Sequence, residues 1–131
     1  MAIKKEIQIL VIDDDAADRF LYSKLLSQIK YPKYSIIEAS SGEEALDLYE
    51  KYPSDCVLLD FMIPNMNGIE FLETIHKKKV PLLPTIFISG HLNPIIVKKA
   101  YDLGAKINID KSSITCEILN KAILSSIQSI N

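Results

Sequence analysis

No stretch of this 131-residue chain approaches the roughly 20 consecutive apolar residues that cross a bilayer, which excludes a membrane span. Nor does the N-terminus read as a secretory leader, since the charged segment Met1–Glu6 leads directly into an apolar run. Charge of one sign is scarce. Lys and Arg number 15 against 17 Asp and Glu, intermixed along the chain for a net charge of −2. Without a basic field, nucleic acid and anionic membrane surfaces are excluded as partners. The two cysteines, Cys56 in an apolar run and Cys116 in a late helix, lack the close pairing of zinc sites and read as small fillers. His76 and His91 stand apart without a second ligand at metal spacing, and His76, beside Lys77, Lys78 and Lys79, reads as a solvated helix end. No repeat, linker or low-complexity segment breaks the chain, so residues 1–131 are expected to form one cytoplasmic domain.

What is present is a 48% hydrophobic content, enough for a core without staples, and a regular alternation of short apolar runs with helical patterns. Ile7–Ile12 is nearly continuous and β-branched, as a strand covered on both faces should be. Helical spacing follows at Phe20, Leu21, Leu25, Leu26 and Ile29 and ends near Tyr31-Pro32. A second strand is expected over about Tyr34 to Glu38. Ser41 and Glu44 then read as a capping box for a helix carrying Ala45, Leu46, Leu48 and Tyr49. A third strand, Cys56–Leu59, runs into Asp60, and Gly68 leads a helix with Ile69, Phe71, Leu72 and Ile75 inward. The fourth strand is Pro84–Ser89. Asn93-Pro94 caps a helix to about Leu103-Gly104, Lys106–Asp110 is a fifth strand, and Ile114–Ile127 is the last helix.

Five strands alternating with five helices imply βαβ units on a parallel sheet, and such sheets bind ligands at the carboxyl ends of their strands. The residues there are Asp13 and Asp14 after strand one, Asp60 after strand three, Ser89 after strand four and Lys111 after strand five. Three converging carboxylates repel one another unless a cation is present. Mg²⁺, usually held by one or two carboxylates with phosphate oxygens and waters, meets that need. An aspartate can attack phosphorus, a lysine ammonium can neutralise a phosphoryl oxygen, and a serine hydroxyl can donate to another. Singly, Asp13 to Asp15 read as helix caps, Asp60 as a turn residue, and Ser89 and Lys111 as ordinary polar residues. Their joint placement points to phosphoryl transfer.

The runs Ile9–Asp15, Ser41–Leu46 and Asp55–Gly68, in this order and spacing, resemble the receiver domain of two-component response regulators over essentially the whole chain. The resemblance implies a flavodoxin-like (βα)5 three-layer sandwich with strand order 2-1-3-4-5. It implies Asp60 as phosphoacceptor, Asp14 as a direct Mg²⁺ ligand, Asp13 acting through a bound water, and the Met62 carbonyl completing the metal ligands. Ser89 takes the place of the switch hydroxyl and Lys111 that of the family lysine. The phosphodonor would be a histidine kinase or histidine phosphotransfer protein, and partners would read the state on the face of helix four, strand five and helix five. The chain ends with helix five, from which a receiver without an output domain is expected.

Two positions depart from the family pattern. Asn108 stands where an aromatic usually swings inward, and Ser112 follows Lys111 where proline is usual, so an atypical output is expected. A pseudo-receiver serving as a constitutive docking module is the alternative. A small-molecule phosphatase would want a second acid two residues after Asp60, where Met62 stands. Met62 and His91 flank the site and could tune water access. Helix five carries only Glu117 and Lys121 as formal charges. It reads as a buried stripe, with an outer apolar docking face as the other possibility.

Overall fold

The computed structural model describes residues 5–90 and 93–128. Its elements are β1 (Glu6–Ile12), α1 (Ala16–Ser27), β2 (Lys33–Ala39), α2 (Gly42–Lys51), β3 (Cys56–Asp60), α3 (Gly68–Lys77), β4 (Thr85–Ser89), α4 (Pro94–Asp102), β5 (Ile107–Asp110), a 3-10 turn (Lys111–Ser113) and α5 (Cys116–Gln128). All five strands pair in parallel in the order β2-β1-β3-β4-β5. The expected strand order and three-layer sandwich are what is found. No helix among the described residues is long and apolar enough to cross a membrane.

The continuous apolar runs are explained by burial of both sheet faces. Leu10, Ile12, Val57, Leu59 and Phe87 pack with Ala45, Phe71, Leu72 and Ala100 of α2, α3 and α4. The alternate residues Ile7, Ile9, Val11, Leu58, Ile86 and Ile88 pack with Tyr22 and Leu26 of α1 and Leu119 and Ile123 of α5. A period of two on the strands thus feeds two separate cores. On α5 the apolar residues are mainly core: Leu119 and Ile123 are buried, while Ile118 alone stands among the exposed large hydrophobics.

Several boundaries differ from the sequence pattern for local reasons. Helix α1 stops at Ser27, before the expected Tyr31-Pro32, because the amides of Gln28 and Ile29 already fold back onto Leu25 and Leu26 carbonyls. Phe20 and Leu21, counted in the helical stripe, face solvent; Tyr22 and Leu26 are the buried pair, and Phe20 is 69% exposed. At α2, Ser41 accepts the Glu44 amide as expected, but Glu44 accepts from the Ser40 amide, one residue before the cap. The full reciprocal box is at α3, between Asn67 and Glu70. Helix α5 starts at Cys116, with the Thr115 hydroxyl accepting the Ile118 amide, because the 3-10 turn occupies Lys111–Ser113.

Two glycines are dictated by space and dihedral angle. Gly104 ends α4 with φ +109°, a left-handed value that suits glycine. Gly68 opens α3 so close to β3 that a Cβ would lie 2.8 Å from the Asp60 carbonyl oxygen. The close approach sets α3 directly beneath the strand end that carries Asp60.

Candidate functional site

Successive acids after β1 have separate tasks. The Asp13 amide donates to the Ala39 carbonyl at 3.1 Å, extending the β1–β2 pairing by one residue. Its side chain points inward, 1% exposed, where Oδ1 accepts the Asp15 amide at 2.9 Å and Oδ2 faces the Tyr22 hydroxyl at 3.4 Å. Asp14 remains exposed at the crevice mouth. Asp15 is the N-cap of α1 and accepts the Ala17 amide.

Strand parity places the remaining groups. Asp60 continues the row of Cys56 and Leu58, and Lys111 that of Ile107 and Ile109, on the face covered by α1 and α5. The Lys111 ammonium therefore meets Asp60 Oδ2 and Asp13 Oδ2, both at 3.2 Å, and Asp18 Oδ2 at 2.7 Å. Asp13, Asp14 and Asp60 can each offer one carboxylate oxygen with these oxygens within 4.8 Å of one another. The open crevice is lined by Asp14, Asp15, Asp18, Asp60, Met62, Ile63, Pro64 and Lys111. Ser89 ends the adjacent strand but continues the row of Phe87 on the opposite face; it is buried and does not line the crevice.

Burial dominates the electrostatics. Withdrawal from water and the nearby Asp13 charge push Asp60 up to about 6, against the opposing pull of Lys111 and the Met62 amide. Burial likewise raises Asp13, partly offset by the Asp15 amide and Lys111. Burial alone would lower Lys111, but its hydrogen bond to Asp18 and the surrounding negative charge hold it above the ordinary lysine range. The Cys56 thiol is pushed up to about 12 by burial, so it is no nucleophile at neutral pH.

The response regulator receiver domain family matches residues 9–123. The chain belongs to that family. A probable chemotaxis protein CheY of Rhizobium etli is 30% identical over 127 residues, covering 94% of each chain. A probable cyclic di-GMP phosphodiesterase of Vibrio cholerae is 37% identical over 98 residues, 74% of this chain but 21% of that protein's length. Among solved structures, a response regulator receiver domain protein (CheY-like) of Methanospirillum hungatei superposes with a TM-score of 0.82 at 25% identity, covering 94% of both chains. A response regulator receiver domain protein of Clostridium thermocellum gives a TM-score of 0.80 at 30% identity, covering 94% of this chain and 95% of that one. The receiver is thus a phosphoacceptor of two-component signalling.

The receiver's departures from pattern have local accommodations. Although Ser112 follows Lys111, the Asp110 carboxylate accepts both the Ser112 amide and its hydroxyl, pinning the 3-10 turn so that Lys111 still enters the crevice. Asn108 lies opposite Phe87, and its Oδ1 is buried with no hydrogen-bond partner among the described residues. His91 lies outside the described residues. Exposed His76 places Nε2 2.8 Å from the Leu103 carbonyl, tying the end of α3 to the end of α4. Asp18 was not singled out from the sequence, yet among the described residues its carboxylate makes the shortest ion pair to Lys111.

The donor set suits a hard divalent ion. It is all oxygen, and two of its three carboxylates are almost wholly withdrawn from water. Without metal, this burial has a pH signature. Asp60 titrates near 6 when folded and near the ordinary carboxylate value when unfolded. Between those values the folded state binds more protons, so metal-free stability falls as pH rises from about 4 to about 6. The urea midpoint in chelator is expected to correspond to about 1–2 kcal/mol less stability at about pH 7 than at about pH 5, with added Mg²⁺ recovering the difference. Equal stability at both pH values in chelator would contradict the burial cost assigned to Asp60.

Proposed function

We propose that Asp60 is the phosphoacceptor of this receiver, served by Lys111 and Ser89, with Asp13, Asp14, Asp60 and the Met62 carbonyl as the ligands of a Mg²⁺ ion. The carrying observation is the gathering of Asp13, Asp14 and Asp60 at the carboxyl edge of the sheet, with the Lys111 ammonium paired to Asp13 and Asp60. An Asp60 oxygen attacks the phosphorus of a phosphohistidine on a histidine kinase or phosphotransfer protein. The N–P bond breaks, and its electron pair stays on the imidazole nitrogen. In the return reaction a water oxygen attacks phosphorus, the bond to Asp60 breaks, and orthophosphate leaves with the carboxylate restored. Mg²⁺, when bound, supplies neutralisation of phosphoryl charge. Lys111 offers an ammonium already pointed at Asp60. Ser89 serves from behind, on the α4 side of the sheet, where a hydroxyl drawn toward the phosphoryl group would alter the packing under α4.

The reading extends to one cytoplasmic receiver domain over residues 1–131 that signals through protein contacts at α4, β5 and α5. Exposed Ile95, Tyr101 and Ile118 lie on these elements' helices and support such a face. The pseudo-receiver reading is favoured by one observation, the orphaned Asn108 oxygen at the aromatic position. The test between them is intact mass after incubation with acetyl phosphate and Mg²⁺. One metal-dependent phosphoryl adduct is expected. No adduct, together with no binding of BeF₃⁻ in Mg²⁺, would leave the docking module as the better account.

A further inference from the structure

The metal and phosphoryl chemistry leaves Asp18 unused, although it makes the shortest of the three ion pairs to Lys111, 2.7 Å against 3.2 Å to Asp60 and to Asp13. Asp18 is the third residue of α1, and its side chain lines the same open crevice as Asp14, Asp60 and Met62. An ammonium has three N–H donors, and here three carboxylates face it. A phosphoryl group on Asp60 would have to share Lys111 with Asp18 or draw it away. The two side chains are about equally shielded, Lys111 24% and Asp18 28% exposed, so their pairing is not fully screened by water. An acid in the first turn of a helix also complements the helix dipole. That role needs no contact with Lys111 and does not account for the short distance.

We propose that Asp18 is a positioning residue that acts through Lys111: it holds the ammonium at the α1 wall of the crevice and competes for it with the phosphoryl group. The inference rests on Asp60 being the phosphoacceptor. Asp18 thereby weakens the phosphorylated state relative to the free one. A receiver of otherwise identical site but with a neutral residue here would hold phosphoryl groups and their mimics more tightly.

The test is calorimetric titration of the full chain with BeF₃⁻ in saturating Mg²⁺, beside Mg²⁺ titration alone. Asp18→Asn is expected to bind BeF₃⁻ about fivefold more tightly, the scale of a partly screened ion pair, while its Mg²⁺ affinity stays equal or falls. Opposite signs on the two ligands separate this role from a structural one, since a loosened site weakens both. Asp18→Glu, which restores the carboxylate, is expected to return BeF₃⁻ affinity toward the native value. In a Lys111→Met background the gain from Asp18→Asn should largely vanish; an undiminished gain would mean plain charge repulsion and overturn the positioning role. Native protein that binds BeF₃⁻ while Asp18→Asn binds it equally or more weakly overturns this inference alone. Native protein that binds no BeF₃⁻ and accepts no phosphoryl group overturns the receiver chemistry and this inference with it.

Discussion

Asp60→Asn should accept no phosphoryl group from acetyl phosphate under conditions where the native protein gains one, and without metal it should be the more stable of the two. Both results follow from the same burial. The Asp60 carboxylate is 4% exposed, is pushed up to about 6 by lost hydration and the Asp13 charge, and ends the central strand β3. An amide is almost the same size and leaves the backbone approach of Gly68 to the Asp60 carbonyl untouched, but its nitrogen is no nucleophile and it carries no charge. Removing the charge ends the conflict with Asp13, and about 1–2 kcal/mol of stability at neutral pH should return, less than the full linkage value because Lys111 is shared. The pH dependence of metal-free stability between about 4 and 6 should flatten in the same variant. Neither neighbouring acid is a ready substitute nucleophile. Asp13 is committed to the Asp15 amide, Tyr22 and Lys111, and Asp14 is solvated at the mouth. A persisting adduct in Asp60→Asn, by intact mass, would place the nucleophile elsewhere and sink the assignment.

The two-sided sheet was legible because burial on both faces leaves only one kind of residue acceptable in β1, β3 and β4. The strand-end residues were legible for a related reason: the alternation of strand and helix says where the carboxyl edge lies before any contact is known. Asp18 was not legible. In sequence it is one more acid in a first helical turn, and only the laying of α1 over the row that ends in Lys111 gives it a partner 93 positions away. Asp14 precedes the Asp15 cap and lies outside the helix, so no helical spacing tied Asp18 to the strand-end acids. Phe20 and Leu21 misled the reading of α1, because apolar periodicity alone does not say which of two adjacent stripes meets the sheet. Tyr22 wins the inward position with a large ring and a hydroxyl that reaches Asp13. The end of β5 was legible in position but not in form, because the turn at Lys111 is held by Asp110 and Ser112 rather than by a proline.

Lys111→Met should move stability, metal affinity and phosphoryl affinity in three different ways. In chelator at neutral pH, Asp13, Asp18 and Asp60 lose the ammonium they share. Stripping one partner from a buried pair costs about 3–5 kcal/mol. Lys111 is a quarter exposed and the carboxyls can take up protons, so a loss of about 2–3 kcal/mol is expected in urea titrations. Without the cation the folded-state values of Asp60 and Asp13 rise further, so the loss should shrink as pH is lowered toward about 5, where the carboxyls are neutralised by protons instead. Mg²⁺ should then bind more tightly than to the native chain, because ammonium and ion draw on the same oxygens. BeF₃⁻ should bind more weakly, about tenfold to a hundredfold, since a charge-assisted hydrogen bond worth about 1.5–3 kcal/mol is gone. Calorimetry with each ligand separates these effects. If both affinities fell together, Lys111 would be a structural prop of the crevice; a rise for the cation with a fall for the anion is the behaviour of an ammonium that balances carboxylates until a phosphoryl group takes it over.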